Sequence, residues 1–286
     1  MRIYIRQFSF SCEIISDMIL EKIKKAQKIL LITHVNPDGD TLGSACAMKE
    51  FIGQKADILI QTKNEIPYNY QFLEQLKYAK FQDDIKDEYD LIICLDVASV
   101  DRIVDKAREI FDKSNNTINI DHHKTNKGYG KLNLIKGGYS SCGEVLFDFF
   151  QENNIKITKN MAIPLYVAIL TDTGCFKYES TTKNTFLDAS KLIETGIDIS
   201  DIAKKCYDNK PQKMVTFQAE VILNAKYQMN NKVVYAIIDK NITDKYNVSN
   251  EHTEGIAETL RSISSVDVSV VLKEIKDKIT KVSLRS

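Results

Sequence analysis

The chain has 286 residues, 43% of them hydrophobic and 27% charged, and its 39 basic and 39 acidic side chains cancel to a formal charge of zero. This is globular composition, long enough for one large core or two smaller ones, and it excludes the basic field that draws a protein onto long nucleic acid. No apolar run approaches the ~18 residues of a membrane span, the charged start has no clear secretory core, and six scattered Cys without a CxxC pair predict reduced, mostly buried thiols in the cytoplasm.

Along the chain, residues 13–27 carry Ile14, Ile15, Met18, Ile19 and Ile23 at helical spacing and predict an amphipathic helix. Residues 28–34 predict a short buried strand ending on His34, residues 37–40 a turn, and residues 41–54 a helix. A strand at 56–61, a helix at 69–80, a strand at 91–95, a helix at 103–112 and a strand at 118–120 follow. This alternation predicts an α/β fold, a mainly parallel sheet with helices on both faces. Ligands of such sheets bind off the carboxyl ends of the strands, where His34, Asp96 and Asp121-His122-His123 fall. From residue 143 the pattern turns helical, over 143–151, 160–171, 182–195 and 198–208. The polar, Pro-containing stretch 209–213 marks a boundary. The reading is a first domain at 1–208, a linker at 209–215 and a smaller α/β domain at 216–286. The latter holds a helix or extended segment at 213–228, strands at 232–238, 267–274 and 281–284, and a helix at 255–263.

The chemistry lies in short polar clusters at the ends of apolar runs, which hold three of the four His. His34, Asp38 and Asp40 share one tight turn, where Pro37 stiffens the entry and Gly39 permits a positive φ. An Asp before a helix is also a common N-cap, and the positive helix end can itself attract phosphate oxygens. Asp96 ends a strand and reads either as a ligand or as a cap for the next helix. The adjacent His122 and His123 point to opposite sides, so one can bind metal while the other faces a substrate. Asp172 closes an apolar helix where the dipole is already negative, a misfit that a cation relieves. The four carboxylates of Asp38, Asp40, Asp96 and Asp172 match the charge of two divalent cations. His34 and His122 complete both shells if Asp96 bridges. Two cations about 3.5–4 Å apart suit an in-line phosphoryl displacement. The oxygen-rich donor set favours Mn²⁺ or Mg²⁺, and the imidazoles tilt it to Mn²⁺.

His34-Val-Asn-Pro-Asp-Gly-Asp-Thr-Leu-Gly-Ser44, Asp96-Val-Ala98, Asp121-His-His123 and Thr171-Asp-Thr-Gly174 resemble the four ordered motifs of the DHH phosphoesterases. That family includes RecJ-type exonucleases, family II pyrophosphatases, exopolyphosphatases and nanoRNases. Glu254-Gly-Ile-Ala-Glu-Thr-Leu-Arg-Ser262, Val266-Asp-Val-Ser-Val-Val-Leu-Lys-Glu274 and Lys281-Val-Ser-Leu-Arg-Ser286 resemble the DHH-associated domain of the nanoRNase and pAp-phosphatase subfamily. The resemblance implies a Mn²⁺ pair in the first domain and a second domain that grips a nucleotide across a cleft. It implies His34, Asp38, Asp40, Asp96, His122 and Asp172 as metal ligands. His123 would meet the scissile phosphate as ion-pair partner or proton donor, making Asp96 and His123 the catalytic pair, and Arg285 lies in the nucleotide-meeting stretch. The glycine-rich, His-containing segment that follows this stretch in the family is not found here, so metal binding is expected to stand and the substrate grip to differ. Arg102 and Arg261 are further phosphate candidates, and His252 reads as a surface residue.

The expected function is Mn²⁺-dependent hydrolysis of short oligoribonucleotides or linear dinucleotides to mononucleotides, or of the nucleoside bisphosphate pAp. The alternatives are the same chemistry on a cyclic dinucleotide such as cyclic di-AMP, and a non-catalytic nucleotide-binding module. Long nucleic acid and membrane partners are not expected, and a homodimer stays open.

Overall fold

The computed structural model describes residues 10–61, 66–86, 89–248, 253, 255–276 and 279–286. His252 lies outside the described residues. Those up to Asp208 form one compact unit and those from Asn209 a second.

Five short strands, β1 (Ile29–Ile32), β2 (Ala56–Leu59), β3 (Leu91–Leu95), β4 (Thr117–Asp121) and β5 (Leu132–Ile135), form the sheet of the first unit in the order β2-β1-β3-β4-β5. Every neighbouring pair is parallel. β1 and β3 are buried along their whole length, which is why they read as unbroken apolar runs rather than alternating ones. Helices α1 (Phe10–Lys25), α2 (Gly39–Ile52), α3 (Asp105–Lys113), α4 (Cys142–Glu152), α5 (Lys159–Asp172) and α6 (Lys183–Ile193) surround it. Leu31, Ile93 and Leu95 join the larger core with residues of α1, α2, α4, α5 and α6. The intervening Leu30, Ile32, Ile92 and Cys94 pack with Ala107, Ile110 and Phe111 of α3. The winding reverses between β1 and β3, the switch point where open α/β sheets bind ligands.

Glycines let three helices meet backbone to backbone. A Cβ on Gly39 would lie 2.4 Å from Thr171 Oγ1, one on Gly43 2.4 Å from the Pro164 carbonyl oxygen, and one on Gly143 2.5 Å from Ala168 Cβ. The starts of α2 and α4 and the end of α5 are thereby held together.

Several segments differ from the sequence expectation. Residues 69–80 hold no α-helix but a short 3₁₀ piece, Glu74–Tyr78. Their backbone bonds step by three, Tyr70 to Pro67, Leu73 to Tyr70, Leu76 to Leu73 and Ala79 to Leu76, and Leu73 and Leu76 fit that spacing as well as an α-helical one. β5 was not expected. α7 (Ile199–Ala203) passes into a π-helical turn at Lys204–Asp208. Cys46, Cys94, Cys142 and Cys206 are buried free thiols, but Cys175 is exposed.

In the second unit β6 (Lys226–Gln228), β7 (Val233–Ile238), β8 (Val268–Lys276) and β9 (Ile279–Arg285) form a sheet in chain order, in which β7 and β8 pair parallel and the outer pairs are antiparallel. Helices α8 (Gln212–Leu223), α9 (Lys240–Tyr246) and α10 (Ile256–Arg261) accompany it. Phe217, Val234, Ala236, Ile238, Leu260 and Val271 are among its core residues. α8 begins within the segment expected as linker, and α9 was not expected because it is short and polar. Among the described residues no helix is long and apolar enough to cross a membrane.

Candidate metal centre

His34 lies two residues past the end of β1. Its Nδ1 lies 2.9 Å from the Val35 carbonyl oxygen, and its Nε2 is 3.5 Å from both Asp38 Oδ2 and Asp96 Oδ2. Asp38 is the N-cap of α2. Its Oδ1 accepts from the backbone N–H of Asp40 and Thr41 at 3.1 and 3.2 Å, which leaves Oδ2 for His34. The oxygen that caps α2 is thus not the one that faces His34. Asp96 follows β3 with a left-handed φ of 59°, a conformation that Asp tolerates better than most side chains. Its N–H donates to the Ile120 carbonyl at 3.0 Å. Its Oδ1 is buried and has no hydrogen-bond partner.

Asp40 sits in the first turn of α2, buried against the start of α4. Its Oδ2 accepts from Cys142 N at 2.7 Å and its Oδ1 from Gly143 N at 3.0 Å, so the free amides of one helix orient a carboxylate borne by another. His122 follows β4, with Nδ1 3.1 Å from the Tyr139 carbonyl oxygen. Its Nε2 lies 3.6 Å from Asp40 Oδ2, 3.5 Å from Asp96 Oδ1 and 3.4 Å from Asp172 Oδ2. Asp172 is the last residue of α5. His123 bonds through Nδ1 to Asp121 Oδ1 at 2.7 Å.

The six expected ligands therefore come together as two groups, His34 with Asp38 and Asp96, and Asp40 with His122 and Asp172. Separations of 3.4–3.6 Å are close to those of donors around one ion, since bonds of ~2.1 Å at 90–110° set neighbours ~3.0–3.5 Å apart. Burial should discharge His34, yet its hydrogen bonds to Asp38 and Asp96 and their charge win and raise its pKa to about 10. Burial of His122 is likewise outweighed by Asp96, Asp40 and Asp172, and its pKa also rises to about 10. Burial, then the charges of Asp96 and Asp172, push Asp40 up, and burial first pushes Asp172 to about 6. The cluster is short of positive charge, it contains a buried carboxylate oxygen without a hydrogen-bond partner among the described residues, and its donors are oxygen and imidazole nitrogen. A divalent cation pair fits it. Asp38 is 57% exposed, Asp172 34% and His123 35%, so the cluster opens to solvent on one side.

Asp121 is the residue to which sequence reasoning gave no role. It is fully buried and accepts from the backbone N–H of His122 and His123, from His123 Nδ1 and from Asn126 Nδ2. Its place at the end of a strand, directly before two imidazoles, was the available signal. Of the three candidate arginines, Arg102 lies beside the cluster, with Nη2 3.1 Å from His34 Nδ1. Arg261 donates to the Val266 carbonyl at 2.8 Å, and Arg285 pairs with Glu258 at 2.7 Å. Both are engaged within the second unit.

The sequence matches the DHH family, N-terminal domain, over residues 28–169. A Streptococcus mutans protein named probable bifunctional oligoribonuclease and PAP phosphatase NrnA is 33% identical over 271 residues, covering 94% of this chain and 84% of that protein. The chain belongs to the DHH phosphoesterase family. The bifunctional oligoribonuclease and PAP phosphatase NrnA of Bacillus subtilis is 26% identical to this DHH chain, over 91% of it and 82% of the relative. The crystal structure of an exopolyphosphatase-related protein from Bacteroides fragilis superimposes with a TM-score of 0.88 at 26% identity, covering 100% of this chain and 85% of that one.

Proposed function

We propose that this DHH chain is a Mn²⁺-dependent phosphoesterase that hydrolyses short oligoribonucleotides and linear dinucleotides to mononucleotides, and pAp by the same chemistry. The observation that carries the reading is the position of Asp96, whose Oδ2 faces His34 and whose Oδ1 faces His122. One carboxylate so placed serves both ligand groups. His34, Asp38 and Asp96 would hold one cation, and Asp40, Asp96, His122 and Asp172 the other. When bound, such a pair polarises the phosphoryl group and makes a nucleophile available from water at neutral pH.

The remaining work falls to the chain's own side chains. The four carboxylates balance two divalent charges and leave none over for the incoming phosphate. His123 and Arg102 supply it at the rim. The hydrogen bond to Asp121 raises the His123 pKa against its burial, and with Nδ1–H given to Asp121 the ring turns Nε2 toward a phosphoryl or leaving oxygen, which it can pair with when protonated. The Arg102 guanidinium can bind phosphate oxygens in pairs. Asp121 holds His123 in one tautomer and fixes the backbone of both imidazoles. In the second unit, the exposed Arg285 and half-buried Arg261 are the groups for the nucleotide. The names of the relatives support the substrate class, and a net charge of zero suits a short substrate better than a long one.

The test is release of mononucleotide from a labelled dinucleotide in Mn²⁺, with pAp and cyclic di-AMP run in parallel. Product from the dinucleotide that vanishes with chelator supports the reading. Product from cyclic di-AMP alone moves the substrate to the cyclic class. Tight nucleotide binding without product from any of the three overturns the enzyme reading in favour of a binding module.

A further inference from the structure

Phosphoryl transfer at the metal centre leaves a buried charge cluster on α4 unused. Lys136 Nζ lies 2.8 Å from Glu152 Oε1 and 3.5 Å from Asp148 Oδ2, and the three side chains are 7%, 4% and 3% exposed. Among the described residues two buried carboxylates face this ammonium. Such groups are poor stabilisers, because desolvation offsets their attraction and apolar residues of similar volume often serve as well or better. Stability alone does not account for them.

What the cluster grips is Tyr139. The tyrosine hydroxyl donates to Asp148 Oδ2, and Lys136 Nζ lies 5.2 Å from the centroid of its ring. Tyr139 N donates to the Lys136 carbonyl at 3.1 Å, and Lys136 N donates to the Asp121 carbonyl at 3.0 Å. The turn 136–139 thus starts on the last residue of β4 and is fixed through the side chain at its far end. There the Tyr139 carbonyl meets His122 Nδ1 at 3.1 Å. With Nδ1–H committed to that carbonyl, Nε2 is the nitrogen turned to the side where Asp40, Asp96 and Asp172 gather. His34 is anchored separately, on the Val35 carbonyl.

We propose that Asp148, with Lys136 and Glu152 behind it, is a positioning residue. It fixes Tyr139 so that the Tyr139 carbonyl aims His122, and it thereby sets the cation affinity of the Asp40–His122–Asp172 group and not that of the His34–Asp38–Asp96 group. The inference rests on the two-cation reading of the site. Partners that orient metal-binding imidazoles typically change affinity 10–100-fold when removed.

The experiment counts Mn²⁺ bound per full-length chain by equilibrium titration, and separates coupled pairs from single ions by electron paramagnetic resonance. Wild type is compared with Tyr139→Phe, Asp148→Leu and Asp148→Asn. Tyr139→Phe removes only the hydroxyl, and Asp148→Asn keeps an acceptor for it. We expect two cations for wild type. Tyr139→Phe and Asp148→Leu should bind one cation about 10–100-fold more weakly and the other unchanged, so the coupled signal gives way to a single-ion one. Asp148→Asn should stay close to wild type. If Asp148→Leu does not fold, Tyr139→Phe decides. Unchanged binding of both cations by Tyr139→Phe, or equal weakening of both alongside a lower melting temperature, overturns the positioning role. A wild-type chain that binds no pair overturns the two-cation reading itself, and is told apart by the wild-type titration alone.

Discussion

In the first unit four carboxylates and two imidazoles crowd the carboxyl ends of β1, β3 and β4, with His34, Asp38, Asp40 and His122 held by backbone amides or carbonyls. In the second unit each of the two candidate arginines has a partner close by, Arg261 a carbonyl and Arg285 an exposed glutamate. Mutual repulsion among the carboxylates is tolerated only where the fold enforces it, and that makes the first unit a place for cations. In the second, Arg285 stands in a surface pair that a phosphate could displace, since exposed pairs are worth only ~0–1 kcal/mol. A metal centre has to be assembled, whereas a grip on a charged ligand can wait for it.

The contrast breaks most directly at Asp96. Asn preserves the left-handed backbone there but removes the charge that both ligand groups share. Turnover by Asp96→Asn should fall ~10³-fold or more, the several kcal/mol that a cation pair supplies. The melting temperature of the metal-free protein should stay close to wild type, because the lost repulsion of Asp40 and Asp172 offsets the lost attraction to His34 and His122. A variant that keeps a tenth of the activity would end the shared-ligand account.

Much of this site was legible in the sequence because strand ends announce themselves. His34, Asp96 and His122 each follow an apolar run, and a parallel sheet gathers such ends. Asp172 was visible as a charge at the wrong end of a helix. What stayed hidden is backbone chemistry, which side-chain identity does not encode. The two α4 amides that hold Asp40 and the Tyr139 carbonyl that holds His122 come from residues whose side chains have no such role. The 3₁₀ stretch Glu74–Tyr78 was missed because apolar residues three apart suit two helix types, and β5 because this half-buried edge strand, Leu-Asn-Leu-Ile, is not a continuous apolar run.

Gly43→Ala tests whether helix packing sets the site. Its Cβ would lie 2.4 Å from the Pro164 carbonyl oxygen, an overpacking expected to lower unfolding free energy by about 1–3 kcal/mol. Because α5 carries Asp172, calorimetry should show weaker Mn²⁺ binding as well as a lower melting temperature. Loss of stability with unchanged affinity would separate packing from the centre.

Acidity offers a gentler probe. His34 and His122 are raised to about 10 in the folded chain, from ~6.5 unfolded. Groups with raised pKa stabilise fully below the unfolded value and lose that contribution as pH climbs toward the folded one. The metal-free protein should therefore become less stable from pH 6.5 upward. The gain in melting temperature on adding Mn²⁺ should grow between pH 6 and 8.5, as displacing the protons of His34 and His122 costs less with every unit of rising pH. A gain that shrinks over that window contradicts the assignment.

The smallest effect is expected in the second unit. Arg285→Ala removes an exposed pair with Glu258 and should change stability by less than ~1 kcal/mol. It should leave cation binding untouched while raising KM for a dinucleotide severalfold. Steady-state kinetics with an unchanged KM would remove Arg285 from the grip.

The most direct test of the shared site is to titrate the intact protein with Mn²⁺ while counting bound ions and released mononucleotide in the same samples. Two ions per chain, with product rising as the second one binds, is the expected result. Full product formation in chelator, or at one bound ion per chain, would contradict a centre in which Asp96 serves two cations.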